Sequence, residues 1–244
     1  GAASELGRRM PGRGWDLALV ARRTERLEAL AGELRDRCRV DVECWPCDLA
    51  DRDASEALAG RLEGLAAVDL LVNNAGFGST GLFHQTGYQR QIDMVQVHVL
   101  GTMRLTRAVL PGMIARGRGG VINVASVAGF FRSVGNVSYC ATKGWMNDFT
   151  EGLRLELDSL GSAVVVQALC PGFTYTEFHD TIGVDRRMIP GFLWMPADYV
   201  VEKSLEGLEA GRLFVIPNWK YRLGAALAEW MPVKWRLAVE RASP

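Results

Sequence analysis

No charge of either sign prevails in this chain. Lys and Arg total 28 and Asp and Glu total 28, a formal net charge of +0, and the absence of a cationic excess argues against nucleic acid as a partner. Long apolar runs are missing too. The longest uncharged stretches, such as residues 161–176, fall short of the roughly 20 residues a membrane span needs and are broken by Pro171 and Gly172. Cysteine is scarce: Cys38, Cys44, Cys47, Cys140 and Cys170 make an odd set in a chain large enough to build its core without disulfides, which points to a reduced, cytoplasmic protein. Cys44-Trp45-Pro46-Cys47 has redox spacing but sits in a strand-like run, not at a helix start that would stabilise a thiolate, so no redox role is expected. His84 and His179 lack partners at ligand spacing, and no metal is expected. The N-terminus shows no basic segment followed by an apolar one, hence no visible signal peptide.

At 244 residues, 48% hydrophobic and 23% charged, the chain is neither disordered nor long enough for two ordinary domains. Strand-like and helix-like runs alternate throughout. Residues 15–21, 40–46, 68–72, 121–125, 163–169 and 213–216 read as strands; 23–38, 51–65, 88–115, 137–160 and 198–210 read as helices. The alternation predicts an α/β fold, a doubly wound, Rossmann-like parallel sheet in three α/β/α layers. One domain over 1–218 is expected, followed by an arm over 219–244 that mixes aromatic and basic residues.

A doubly wound sheet binds ligands beyond the carboxyl ends of its strands. Four places there stand out: Asp48, Asn74 with Gly76, Ser126, and Pro171-Gly172. Tyr139 and Lys143 are four apart in a predicted helix and share a face. A tyrosine, with a reference pKa of about 10, is a poor base at neutral pH, but a neighbouring ammonium favours its phenolate. Ser126, at the tip of the adjoining strand, is placed to bond the same substrate oxygen.

Asn73-Asn74-Ala75-Gly76, Ser126, Tyr139-x-x-x-Lys143 and the run from Pro171-Gly172 to Thr176, in this order and spacing, resemble the short-chain dehydrogenase/reductase (SDR) family. The resemblance covers essentially the whole chain. It implies hydride transfer between a nicotinamide cofactor and a carbonyl or secondary alcohol. Tyr139 would be the general acid or base, Lys143 would lower its pKa and hold the nicotinamide ribose, and Ser126 would polarise the carbonyl. Asp48 and Leu49 would lie against the adenine, Asn74, Ala75 and Gly76 along the adenosine ribose, and Thr174 and Thr176, after Pro171 and Gly172, around the nicotinamide amide and phosphates. Arg22-Arg23 after the strand at 15–21 would put positive charge at the ribose 2′ position, which favours NADP(H) over NAD(H).

Two departures from the family stand out. Its members open with a strand and then Thr-Gly-x-x-x-Gly-x-Gly, whereas this chain opens Gly1-Ala2-Ala3-Ser4-Glu5-Leu6-Gly7, with no strand before it and Glu5 at the middle glycine. Gly1, Ser4 and Gly7 are the remnants of that turn in one alignment. In the other, which removes the repulsion between Glu5 and a pyrophosphate, residues 5–13 are the body of the first helix, with Leu6 and Met10 on one face. A first strand is therefore expected to be missing, either because the sequence in hand starts downstream of it or because the protein has lost it. His98 takes the place of the family's catalytic asparagine; it either substitutes in a proton relay or is a buried histidine satisfied by backbone.

Phe178, Met188, Ile189, Phe192, Leu193, Trp194 and Met195 fall where the family places its substrate lid, so the substrate is expected to be lipophilic. The arm, rich in Trp and Leu with interspersed Lys and Arg, either packs on its own domain or a second subunit or touches a membrane surface as a peripheral contact. By analogy with the family the helices at 88–115 and 137–160 form the face of a homodimer or homotetramer. Two functions of different class fit: an NADP(H)-dependent carbonyl reductase or alcohol dehydrogenase, and a non-catalytic ligand-binding or interaction module on the same fold.

Overall fold

The computed structural model describes residues 2–9, 15–176, 178 and 189–242. Every expected strand and helix between residues 15 and 216 is found, with ends within two residues of the expectation. In chain order these are α1 (Ala2–Arg9), β1 (Leu17–Ala21), α2 (Thr24–Cys38), β2 (Val42–Pro46), α3 (Arg52–Glu63), β3 (Leu70–Asn73), α4 (Tyr88–Val95), α5 (Thr102–Arg116), β4 (Gly120–Val124), α6 (Val137–Ser159), β5 (Val165–Leu169), α7 (Ala197–Glu209), β6 (Phe214–Val215), α8 (Trp219–Trp230) and α9 (Val233–Ala242). The stretch expected as one helix over 88–115 is α4 and α5 joined through a π-helical segment, Gln96–Gly101.

Local chemistry sets several of these ends. Asp51 caps α3 by accepting the Ala54 amide at 3.0 Å, and Asn218 caps α8 by accepting the Lys220 amide at 2.9 Å, each satisfying a donor the helix itself leaves open. Gly117 closes α5 at φ 65, a left-handed conformation that costs glycine little.

All described strands pair in parallel, and side chains alternate between two helical layers. Val121 of β4 and Val166 of β5 pack with Val109 and Met113 of α5 and Leu157 of α6. Ile122, Val124 and Leu169 turn the other way, onto Val200 of α7. On that second face α1 and α7 meet through Leu6, Val201 and Leu205, and α2 covers β1 and β2 through Ala31 and Leu34.

The ladder is interrupted in one place. β1 and β2 form one sheet, while β3, β4, β5 and β6 form another in that order. Leu17 of β1 and Leu70 and Val72 of β3 all pack on the Leu6, Val201 and Leu205 cluster, so the two sheets share a core without sharing hydrogen bonds. Among the described residues no strand bridges β1 to the four-stranded sheet by hydrogen bonds.

The N-terminal residues resolve the two alignments. Ser4 and Gly7 lie within α1, not in a turn, and Gly7 faces Leu34 and Leu19. Of the residues expected as helix over 5–13, residues 5–9 lie in α1; Gly1 and residues 10–13, Met10 among them, lie outside the described residues. Leu6 is buried, as its place on the inward face requires.

A buried polar ladder fixes the middle of the sheet. Asn73 Nδ2 donates to Thr106 Oγ1 at 3.1 Å and to Asn123 Oδ1 at 2.8 Å. Asn123 Nδ2 donates to Thr150 Oγ1 at 2.9 Å, which donates onward to Met146 O at 2.6 Å. Side chains of β3, β4, α5 and α6 are thereby held in one register, each amide satisfied away from water. Replacing Asn123 by Ala strips partners from Asn73 and Thr150; the expected loss is about 2–3 kcal/mol of stability, read as a lower midpoint in urea denaturation, and an unchanged midpoint would show that the ladder contributes nothing.

Candidate active site

The carboxyl ends of β3, β4 and β5 open onto α6. Ser126, two residues beyond β4, accepts the Ala128 amide at 3.1 Å and reaches the carbonyl of Pro171, beyond β5, at 3.4 Å. Val127 donates its amide to the same Pro171 carbonyl at 3.1 Å. These bonds bring the segments after two strands together.

Tyr139 and Lys143 stand one turn apart near the start of α6. The Ser126 side chain lies close enough to the Tyr139 phenol to lower its pKa, and Lys143 Nζ lies 6.0 Å from the centre of that ring. Tyr139 is only half-buried by surface area, yet enough protein surrounds the phenol that burial pushes its pKa up to about 12, against the lowering effect of Ser126. Lys143 is buried and its pKa is lowered to about 8 by desolvation. Its ammonium donates to Val124 O at 2.7 Å, anchoring the helix to the end of β4.

The direction at Tyr139 differs from the sequence expectation that the ammonium draws the phenol down. Desolvation of an anion outweighs an attraction acting over that distance from a group whose own charge burial disfavours. The phenol therefore stays protonated at neutral pH, which suits a proton donor.

His98 projects from the π-helical segment and is fully buried. Its Nε2 accepts the Phe77 amide at 3.1 Å, and its Nδ1 lies 2.9 Å from Thr142 Oγ1. Since Nε2 is an acceptor, the neutral ring carries its proton on Nδ1 and donates it to Thr142. Thr142 Oγ1 in turn donates to the Tyr139 carbonyl at 3.1 Å. Burial, with Lys143 adding a smaller repulsion, holds the His98 pKa well below its usual value, so the ring is uncharged. Both nitrogens are committed to protein, and the satisfied-histidine alternative describes this geometry, with a backbone amide and a hydroxyl as the partners. Gly76 lies against this ring: a methyl group there would come within 2.8 Å of Nε2 and 3.5 Å of Lys143 Nζ, so glycine permits the loop after β3 to approach α6.

The remaining candidates divide into two groups. Arg22, just beyond β1, reaches Asp48, two residues beyond β2, at 3.7 Å, with Arg23 beside it at the start of α2; Leu49 packs on the Trp45 cluster. Asn74 is half-buried, and Ala75 and Gly76 are exposed after β3. Thr174 is buried and donates to Gly172 O at 3.0 Å. Thr176 accepts the Phe178 amide at 3.3 Å. Pro171 serves as the acceptor described above, and Gly172 lies under the ring of Tyr221 so closely that any side chain would collide. That contact with α8 was not anticipated, although Tyr221 was visible among the aromatics of the arm.

The expected lid also divides. Phe178 stacks obliquely on Tyr139, ring centres 5.8 Å apart, and Phe192 is exposed. Trp194 and Met195 are core residues, not lid surface: both are buried, Trp194 stacked on Tyr175 at 5.0 Å and Met195 packed with the ends of β4 and β5. Met188 and His179 lie outside the described residues.

Among the described residues no cluster of three His, Cys, Asp or Glu is arranged to hold a metal ion. The Cys44 and Cys47 thiols are both pushed up, chiefly by burial, the opposite of what a redox pair needs.

A model of the family described as short chain dehydrogenase matches residues 1–187. The chain is 36% identical over 187 residues to Nodulation protein G of Rhizobium meliloti, covering 75% of this chain and 74% of that one. It is 38% identical over 185 residues to sulfoacetaldehyde reductase of Chromohalobacter salexigens, covering 73% and 72%. Among solved structures, a short-chain dehydrogenase from Sphingobium yanoikuyae in complex with NADPH is similar with a TM-score of 0.85 at 32% identity, covering 100% of this chain and 92% of that one. The chain is therefore an oxidoreductase acting on alcohol and carbonyl groups, and it belongs to the short-chain dehydrogenase/reductase family.

Proposed function

We propose that the protein interconverts a lipophilic carbonyl compound and its secondary alcohol, using NADP(H) in preference to NAD(H), with Tyr139 as general acid and base. The observation that carries this reading is the meeting of Ser126, Tyr139 and Lys143 at the strand ends, the Ser126 side chain close enough to the Tyr139 phenol to lower its pKa and Lys143 Nζ 6.0 Å from the same ring. When bound, the nicotinamide supplies or takes up the hydride.

In the reducing direction Ser126 orients the substrate oxygen and Tyr139, protonated at neutral pH, donates to the oxygen as negative charge develops there. Lys143 stabilises the phenolate left behind through its positive charge. In the oxidising direction the same groups act in reverse. His98 is a positioning residue in this reading, holding the loop after β3 against α6.

The donor set fits the two nucleoside ends of the dinucleotide. Arg22 and Arg23 would meet a 2′-phosphate, Asp48 and Leu49 the adenine, and Asn74, Ala75 and Gly76 the adenosine ribose. Tyr139 and Lys143 would hold the nicotinamide ribose, with Pro171, Gly172, Thr174 and Thr176 around its amide and the adjoining phosphates. Ser4 and Gly7, being helical, are not assigned to the pyrophosphate. Phe178 against Tyr139 supports an apolar substrate, while exposed Ile92, Leu100, Met103 and Leu155 support a homodimer or homotetramer through α4, α5 and α6. The five free cysteines support a cytoplasmic setting.

Changing Tyr139 to Phe should lower kcat for reduction about 100-fold or more while NADPH binding remains detectable in a fluorescence titration; undiminished turnover would remove the proposed acid. Failure of the unaltered protein to bind NADPH would leave the binding-module reading ahead. Lys143 is charged below its lowered pKa of about 8 and neutral above it, so the reduction rate should fall as pH rises through that value in steady-state assays, and a rate still rising there would contradict the role. Reversing charge with Arg22→Glu should raise KM for NADPH about tenfold, equivalent to about 1.4 kcal/mol, with little change for NADH.

A further inference from the structure

α8 is apolar on two opposite faces. Its inner face buries Ala225 and Ala228 and is fastened by Tyr221, whose hydroxyl donates to Leu193 O at 2.9 Å and accepts the Phe173 amide at 3.3 Å. Its outer face carries Trp219, Leu223, Leu227 and Trp230, spaced by four, four and three residues and so aligned in one stripe. All four are more than half exposed, Trp230 at 88%. The exposed Val233, Trp235 and Leu237 of α9 continue the apolar surface. Lys220 lies with Nζ 3.8 Å over the ring of exposed Phe192, which joins the segment before α7 to the same patch. A stripe of this kind on a helix already docked by its other face is surplus to folding, and contiguous exposed apolar surface of this kind marks a contact surface.

We propose that the outer face of α8, continued by α9 and Phe192, docks onto an anionic lipid bilayer. Charge chooses this occupant. Between residues 219 and 238 the cations are Lys220, Arg222, Lys234 and Arg236, against Glu229 alone. Arg236 shares a cleft with Asp148, Glu151 and Glu229, which leaves Lys220, Arg222 and Lys234 to rim the stripe. A second copy meeting this patch across a two-fold axis would set those cations against themselves. Anionic headgroups instead complement them, while indole rings and leucines enter the boundary between headgroups and acyl chains. No helix among the described residues is long and apolar enough to cross a membrane, so the contact lies along the surface. Docking in this way places the segment carrying Phe192 against lipid, and it does not depend on the reaction proposed above.

The test is co-sedimentation of the full chain with vesicles of phosphatidylglycerol and phosphatidylcholine, compared with phosphatidylcholine alone. The expected result is binding to the anionic vesicles at least tenfold tighter, with a blue shift of tryptophan fluorescence and weakening by salt. Leu223→Glu with Leu227→Glu, and separately Lys220→Glu with Lys234→Glu, should each weaken that binding at least tenfold while the circular dichroism spectrum stays unchanged, since all four side chains lie on or at the rim of the outer face. Absence of binding to both vesicles overturns the proposal, as does equal binding by the variants. So does a dimer in analytical ultracentrifugation that the leucine variant dissolves without any vesicle association, which would make a second copy the occupant.

Discussion

Lys143 is an ammonium taken out of water, and the surrounding site follows from how it is held. Its bond to the Val124 carbonyl ties the start of α6 to the end of β4, so the helix cannot move without leaving a buried charge unpartnered. The same desolvation that lowers Lys143 raises Tyr139 beside it. The two shifts move the pKa of the acid away from neutrality and that of the cation toward it: the phenol keeps its proton, and the amine sits near the point of losing its own. Beneath them, neutral His98 spans from the Phe77 amide to Thr142. A charged ring there would face Lys143 as well as the desolvation cost, so its neutrality is built into the position.

Further from the site, polar groups again do the aligning. The chain of amides and hydroxyls from Asn73 through Asn123 to Thr150 crosses β3, β4 and α6, and Gln167 of β5 meets Ser204 of α7 in two more bonds. Apolar packing is tolerant of small slides, whereas a buried amide that loses its partner is penalised at once. Such contacts hold four-stranded order in a molecule whose other two strands share its core but not its hydrogen bonds. The candidate residues follow strands of both sheets, Arg22 and Asp48 after β1 and β2 and Ser126 after β4, beside Tyr139 and Lys143 of α6.

α8 links the site to the surface of the molecule. Tyr221 reaches over Gly172 and bonds both to Phe173, beyond β5, and to Leu193, so the arm clamps the segments that border the active site. Having spent one face on that contact, the helix still presents tryptophan and leucine to the outside. An amphipathic helix is ordinarily exhausted by a single apolar face.

Much of this was legible in the residues. Alternating apolar runs marked the strands and helices, because burial between two helical layers selects apolar, β-branched segments. Tyr139 and Lys143 declared their shared face by spacing alone, and Ser126, Asn74 and Pro171 by following strands. What the chain could not disclose depends on partners remote in sequence. The proton on His98 is assigned by Phe77 and Thr142, which approach it from different segments; Trp194 and Met195 are core because the segments around them fold back; the second apolar face of α8 emerges only once the first is buried. The direction of the Tyr139 shift belongs to the same class. Periodicity and spacing are local properties that a sequence carries in itself, whereas burial, and every pKa and hydrogen bond that burial governs, is a sum over neighbours that only the folded chain brings together.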